Sequence, residues 1–184
     1  GYAEMLKHGL ISNVEHWAEL LSFDIVNIDY AALKRLVGES VQVKEEIVEQ
    51  DPFERNIRKA LNLGHTVGHA FESMALAENR PVLHGYAVAW GIVCELYLSH
   101  TKVGFPKEKM RQTIRFIKDN YGVFTFDCKK YEQLYAFMTH DKKNTSGTIN
   151  FTLLKDIGDI CINQTADKDT IFDMLDFYRE CMGI

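Results

Sequence analysis

The run from Gly85 to Leu98 constrains this chain more than any other stretch. It is apolar and rich in small residues, with Gly85, Ala87, Ala89 and Gly91 all falling inside it. A helix that is hydrophobic on every side must be covered on every side, so the run predicts a helix at the centre of a bundle.

The remaining sequence supplies the helices to surround it. Met5, Leu6, Leu10 and Ile11 recur at helical spacing, and Val14, Trp17, Leu20 and Leu21 continue the stripe after a break at Ser12-Asn13. This first helix has no capping residue ahead of it, which leads us to expect a piece cut from a longer polypeptide. Asp29 reads as the cap of a helix over 30–50 that ends at Asp51-Pro52. A long helical segment follows over 59–78, closed by Pro81. Pro106 opens another helix at its first turn, which stops at Asn120-Tyr121-Gly122. The alternation Thr148–Leu154, the turn at 156–159 and Ile160-Cys161-Ile162 predict one β-hairpin. Asp167 then caps a last amphipathic helix running through Ile171, Met174, Leu175 and Phe177. The expected fold is mainly α: a helical, bundle-like single domain over 1–184 with one small hairpin.

Charge and composition narrow the function. Lysine and arginine number 21 against 26 acidic residues, a net charge of −5, and binding to nucleic-acid phosphates calls for a basic face instead. No apolar run approaches the roughly 20 residues that span a bilayer, so no membrane association is expected. Cys94, Cys128, Cys161 and Cys181 are widely spaced and form no CxxC pair, which predicts free and mostly buried thiols in a cytoplasmic protein. Neither GxGxxG nor GxxxxGK[ST] occurs, and strand–helix alternation is missing, so no nucleotide cradle is expected within these residues.

Two groups of residues could carry chemistry. His65 and His69 are four apart, so a helix places both rings on one face, where they could share a metal or a substrate. His84 follows a turn and could reach the same point, with Glu4 as a carboxylate partner. Imidazole suits zinc, and a catalytic zinc centre takes three protein ligands and keeps one position open. The HExxH pattern of zinc proteases is not met, because Thr66 stands where the general base would be. Gly64 and Gly68 flank the pair, at a cost of roughly 1 kcal/mol each inside a helix. Hydrogen-bonded core histidines remain the alternative reading of the pair. The second group is cationic: Lys7, Lys44, Arg58 and the Asp141-Lys142-Lys143 run could converge on an anionic substrate, or be solvated surface charges.

Four motifs, in order along the chain, together resemble the 3-dehydroquinate synthases. They are Gly-x-Ala-Glu-x-x-Lys-x-Gly-Leu-Ile at the start, Arg-x-x-Leu-Asn-x-Gly-His-Thr-x-Gly-His-Ala-x-Glu over 58–72, Leu-His-Gly-x-Ala-Val-Ala over 83–89, and Asp-Lys-Lys at 141–143. The resemblance is to the C-terminal domain of that family and covers essentially the whole chain. It implies conversion of 3-deoxy-D-arabino-heptulosonate 7-phosphate to 3-dehydroquinate and phosphate in the shikimate pathway, by a homodimeric lyase using NAD and Zn2+ (or Co2+ or another divalent ion). The NAD-binding N-terminal domain of the family would be absent from these residues, leaving them inactive alone. The resemblance further implies Glu4, His65 and His84 as metal ligands and His69 as the histidine that contacts substrate and assists proton transfer. It implies Lys7, Arg58 and Asn62 as catalytic and substrate-binding residues and Lys44 as a substrate contact, joined by Lys142 or Lys143. Tyr86 departs from the pattern, standing where the family often has Glu, and the segment between His69 and His84 is slightly long. Other readings are a different sugar-phosphate cyclase, a metal-dependent alcohol or glycerol dehydrogenase, and a non-catalytic helical interaction domain.

Overall fold

A computed structural model describes residues 1–141 and 148–184. Eight helices and one hairpin are formed among these residues. In chain order they are α1 (Tyr2–Ser12), α2 (Val14–Ser22), α3 (Tyr30–Gln50), α4 (His65–Ala77), α5 (His84–Val103), α6 (Lys107–Tyr121), α7 (Tyr131–Thr139), β1 (Ile149–Asp156), β2 (Asp159–Ala166) and α8 (Lys168–Met182). Short 3-10 turns at Ile57–Asn62 and Cys128–Lys130 precede α4 and α7.

Polar caps set several boundaries. Asn13 accepts from the His16 amide at 2.8 Å, so the predicted break becomes the start of α2. Asp29 accepts from Ala31 and Ala32, and Asp167 from Thr170, fixing the starts of α3 and α8. Pro106 is the residue before α6 and not its first residue, as its ψ of 124° requires.

α5 occupies the centre. From Ala87 to Leu96 every residue of it is buried, and α1, α4, α6, α8 and β1 all pack against it. The hairpin pairs β1 with β2 antiparallel, Ile149 opposite Ala166 and Asp156 opposite Asp159, so its strands run longer than the sequence predicted. Its turn is pinned to the first helix by the Gly158 amide, which donates to the Leu10 carbonyl at 2.9 Å. On β1, Thr152 Oγ1 donates to the Lys59 carbonyl at 2.6 Å, and Ser99 Oγ accepts from the Leu154 amide at 3.0 Å.

Three expectations need correction. The helix predicted over 59–78 is broken at Leu63-Gly64: Gly64 has φ +80°, a left-handed conformation that suits glycine and ends regular helix. Only Gly68 of the two glycines therefore lies inside a helix. The cysteines are free, but of the four only Cys94 is buried, while Cys128 is exposed on a 3-10 turn. α7 was not predicted at all, although Tyr131, Leu134 and Met138 form a buried stripe at helical spacing.

Candidate metal centre

The close crossing of α4 and α5 brings the histidines together. A Cβ placed on Gly91 of α5 would lie 2.0 Å from the Gly64 carbonyl oxygen and 2.7 Å from the Gly68 amide. The two backbones touch there, and no larger residue fits between them. α4 carries His65 and His69, α5 begins at His84, and α1, packed on α5, brings Glu4.

Three donor atoms converge at this point. Glu4 Oε1 is 3.2 Å from His65 Nε2 and 3.4 Å from His84 Nε2. Two ligands of a tetrahedral zinc stand about 3.3 Å apart when each bond is about 2.0–2.1 Å. Both separations match that edge. The second nitrogen of each ring is occupied: His65 Nδ1 lies 3.0 Å from the Leu63 carbonyl, and His84 Nδ1 lies 2.6 Å from Glu72 Oε1. A proton on Nδ1 satisfies each of these contacts and turns Nε2 toward Glu4, able either to donate to that carboxylate, as His65 does, or, once deprotonated, to bind a metal. Glu4 is the anionic member. Burial pushes its pKa up, yet the hydrogen bond from His65 and the ammonium of Lys7 outweigh burial and hold it well below the usual carboxylate range. Lys7 is itself buried and hydrogen-bonded to Glu4. One helical turn further inside, burial and the charge of Lys7 push the His8 imidazole down to about 4, so this histidine packs in neutral form against Ser40. The residues present thus fit a divalent ion.

His69 belongs to the same cluster but faces differently. Its ring centroid is 5.4 Å from that of His65 and 6.0 Å from that of His84, while its Nδ1 is 3.2 Å from Asp141 Oδ2. A proton held between His69 and Asp141 leaves Nε2 of His69 able to accept another. Equal spacing on α4 therefore gives His65 and His69 different surroundings.

The other candidates make contacts of their own or lie outside the described residues. Asp51 accepts three backbone amides, from Arg55, Asn56 and Arg58, and these bonds, Arg55 first, hold its pKa below the ordinary value. They fold the loop so that Arg58 Nη1 reaches the Pro52 carbonyl at 2.7 Å and Asn62 Nδ2 donates to Glu54 Oε1 at 3.0 Å. Lys44 is exposed on α3, on the side where its charge also opposes protonation of His8. Lys142 and Lys143 lie outside the described residues, one step beyond the Asp141 that meets His69.

Sequence reasoning missed Glu54, Glu72 and Glu95. Glu95 is wholly buried in α5, and its carboxylate accepts the Gly64 amide at 3.0 Å and the Val67 amide at 3.2 Å. It supplies from a neighbouring helix the cap that Gly64 has no side chain to provide, and a negative charge suits that helix end. The signal was present as a lone acid in the middle of the apolar run. Glu95→Ala, which leaves two buried amides without this partner, is expected to lower stability by about 2 kcal/mol or more, with Glu95→Gln losing less. Urea unfolding midpoints of the two variants check this, and equal midpoints to the parent would refute the capping role.

Comparison with known proteins agrees with the fold and the motif order. Residues 1–144 match the family model described as 3-dehydroquinate synthase C-terminal. The 3-dehydroquinate synthase of Parabacteroides distasonis is 59% identical over 184 residues, covering 100% of this chain and 52% of that protein. That of Leptospira interrogans is 42% identical over 170 residues, covering 89% of this chain and 46% of the relative. The chain thus spans about half the length of the curated relatives it matches. Among solved structures the fold is similar to a 2-deoxy-scyllo-inosose synthase complexed with carbaglucose-6-phosphate, NAD+ and Co2+. That match has a TM-score of 0.73 at 18% identity, over 97% of this chain and 49% of the other. It is also similar to 2-epi-5-epi-valiolone synthase from Streptomyces hygroscopicus with NAD+ and Zn2+ bound, with a TM-score of 0.72 at 19% identity, over 97% and 50%. These 184 residues belong to the 3-dehydroquinate synthase family and correspond to its C-terminal part.

Proposed function

We propose that this chain is the metal- and substrate-binding half of a 3-dehydroquinate synthase. The reaction converts 3-deoxy-D-arabino-heptulosonate 7-phosphate to 3-dehydroquinate and phosphate, with no net oxidation. The observation that carries this reading is the convergence of Glu4, His65 and His84 at zinc-like separations.

In this reading Glu4, His65 and His84 hold a divalent ion, Zn2+ or Co2+. When bound, the ion acts as a Lewis acid that acidifies a substrate hydroxyl. NAD, held by an N-terminal domain outside these residues, would supply reversible hydride chemistry. The chain's own side chains do the rest. Lys7, buried beside Glu4, offers a fixed ammonium to a substrate oxygen, and its charge keeps Glu4 ionised. His69, oriented by Asp141, holds or moves a proton at Nε2 while touching substrate. Arg58, Asn62, Lys44 and Lys142 or Lys143 bind the carboxylate, hydroxyls and phosphate, where a guanidinium suits a two-point grip on an oxyanion. The departing phosphate can itself accept the proton lost at the carbon next to the oxidised centre, so no further strong base is required. A cytoplasmic homodimer completes the proposal, and free cysteines are consistent with a reducing compartment. Alone, the 184 residues would bind the metal without turning over.

The test is phosphate release from the heptulosonate 7-phosphate by the full-length polypeptide, with NAD and Zn2+ each omitted in turn. Release that needs both is expected. No release from a folded, metal-loaded protein, or faster release from glucose 6-phosphate or sedoheptulose 7-phosphate, would move the chain to another cyclase.

A further inference from the structure

Glu72 lies outside the triad, yet it makes a short, direct contact with one of its members. Its Oε1 is 2.6 Å from His84 Nδ1, on the side of the ring opposite the Nε2 that faces Glu4. His84 needs such a partner. It is the first residue of α5, directly after the 78–83 connection, and its side chain is 49% exposed, against 13% for His65. Packing and the Leu63 carbonyl hold His65, whereas little packing restrains His84. Among the described contacts of His84, Glu72 makes the hydrogen bond to Nδ1, and it comes from α4, the helix that carries His65 and His69.

Glu72 has a second geometric reading, because His69, Glu72 and His84 also present ligand atoms within 4.8 Å of one another. The 2.6 Å separation decides between the two. It is a hydrogen-bond distance and too short for two ligands on one ion, which stand about 3.3 Å apart at zinc bond lengths. Glu72 and His84 Nδ1 therefore share a proton and do not share a metal. Locking the Nδ1–H tautomer aims Nε2 at the centre, and a carboxylate behind a ligating imidazole commonly matters 10–100-fold in metal affinity.

We infer that Glu72 is a positioning residue that fixes the orientation and tautomer of His84 for a divalent ion. This rests on the metal-centre reading above. The test is Zn2+ affinity, by competition with a chromophoric chelator, for the purified protein and its Glu72→Ala and Glu72→Gln variants, with Co2+ absorption spectra and thermal midpoints alongside. Glu72→Ala should bind Zn2+ about 10–100-fold more weakly, with altered Co2+ bands and an unshifted metal-free midpoint. Glu72→Gln keeps an acceptor oxygen for Nδ1–H and should recover much of the loss. Unchanged affinity in Glu72→Ala would overturn the inference while leaving the triad standing. Two bound ions in the parent, falling to one in Glu72→Ala, would make Glu72 a ligand and overturn it too. A parent that binds no Zn2+ would remove the metal-centre reading itself.

Discussion

His65→Ala is expected to lower divalent-metal affinity by more than about 100-fold, beyond what the loss of a supporting residue costs, and to abolish metal-dependent phosphate release. The imidazole supplies one of three converging donor atoms, 3.2 Å from Glu4 Oε1, and alanine offers nothing in its place. It also removes the hydrogen bond to Glu4, leaving Lys7 to hold that carboxylate. The fold should survive, because the ring is partly exposed at the first turn of α4 and His65 is not among the buried core residues. His69→Ala makes the informative comparison. Metal affinity should stay within a few-fold, while turnover falls by about 10²–10⁴, the usual worth of a positioned proton-transfer group. Titration calorimetry on both variants, and phosphate release with each change carried in the full-length polypeptide, separate the two roles. Equal loss of metal from both would mean that His65 and His69 share the ion, as their spacing alone allows.

Gly91→Ala should have the largest effect on folding. The new methyl would sit 2.0 Å from the Gly64 carbonyl oxygen and 2.7 Å from the Gly68 amide, and both are backbone atoms that no rotamer change can move. α4 and α5 would have to separate, at a cost of about 3 kcal/mol or more, the upper end for overpacked cores. Because the same crossing sets the distance from His65 to His84, metal affinity should fall together with stability. Gly38→Ala provides the opposite control. That glycine is exposed inside α3 with nothing within 4 Å of a new methyl, so the change should stabilise by about 0.5–1 kcal/mol. Denaturant midpoints measure both. A loss below 1 kcal/mol for Gly91→Ala would mean that the helices do not meet backbone to backbone.

These two sites differ in how far the sequence announced them. The buried central helix, the capped starts of α3 and α8 and the hairpin follow from local chemistry, since an apolar run, an aspartate at a helix start and an alternating pattern act over a few residues. Residue chemistry made Glu4, His65 and His84 candidates, but only the order of motifs singled them out as a set, because positions 4, 65 and 84 meet through helix packing that no local rule encodes. Spacing on one helix grouped His65 with His69, and the structure gives them different neighbours. Gly64 read as a costly residue within a helix and is the break that starts a new one. Glu72 and Glu95 act on partners in other helices, so as isolated acids they carried no visible purpose. Tyr131, Leu134 and Met138 did carry a helical period, but α7 is short and its start has no side-chain cap to flag it.

The gathering of donors from three distant segments also has a topological consequence. An ion gripping α1, α4 and α5 would act as a reversible cross-link, closing loops on the order of 60 and 20 residues. Every opening motion that lifts α1 away from α5 would then require a bond to the ion to break. Chelation would release those loops together, so α1 would become the segment most readily exchanged with solvent and cut by proteases, while the glycine contact kept α4 and α5 side by side.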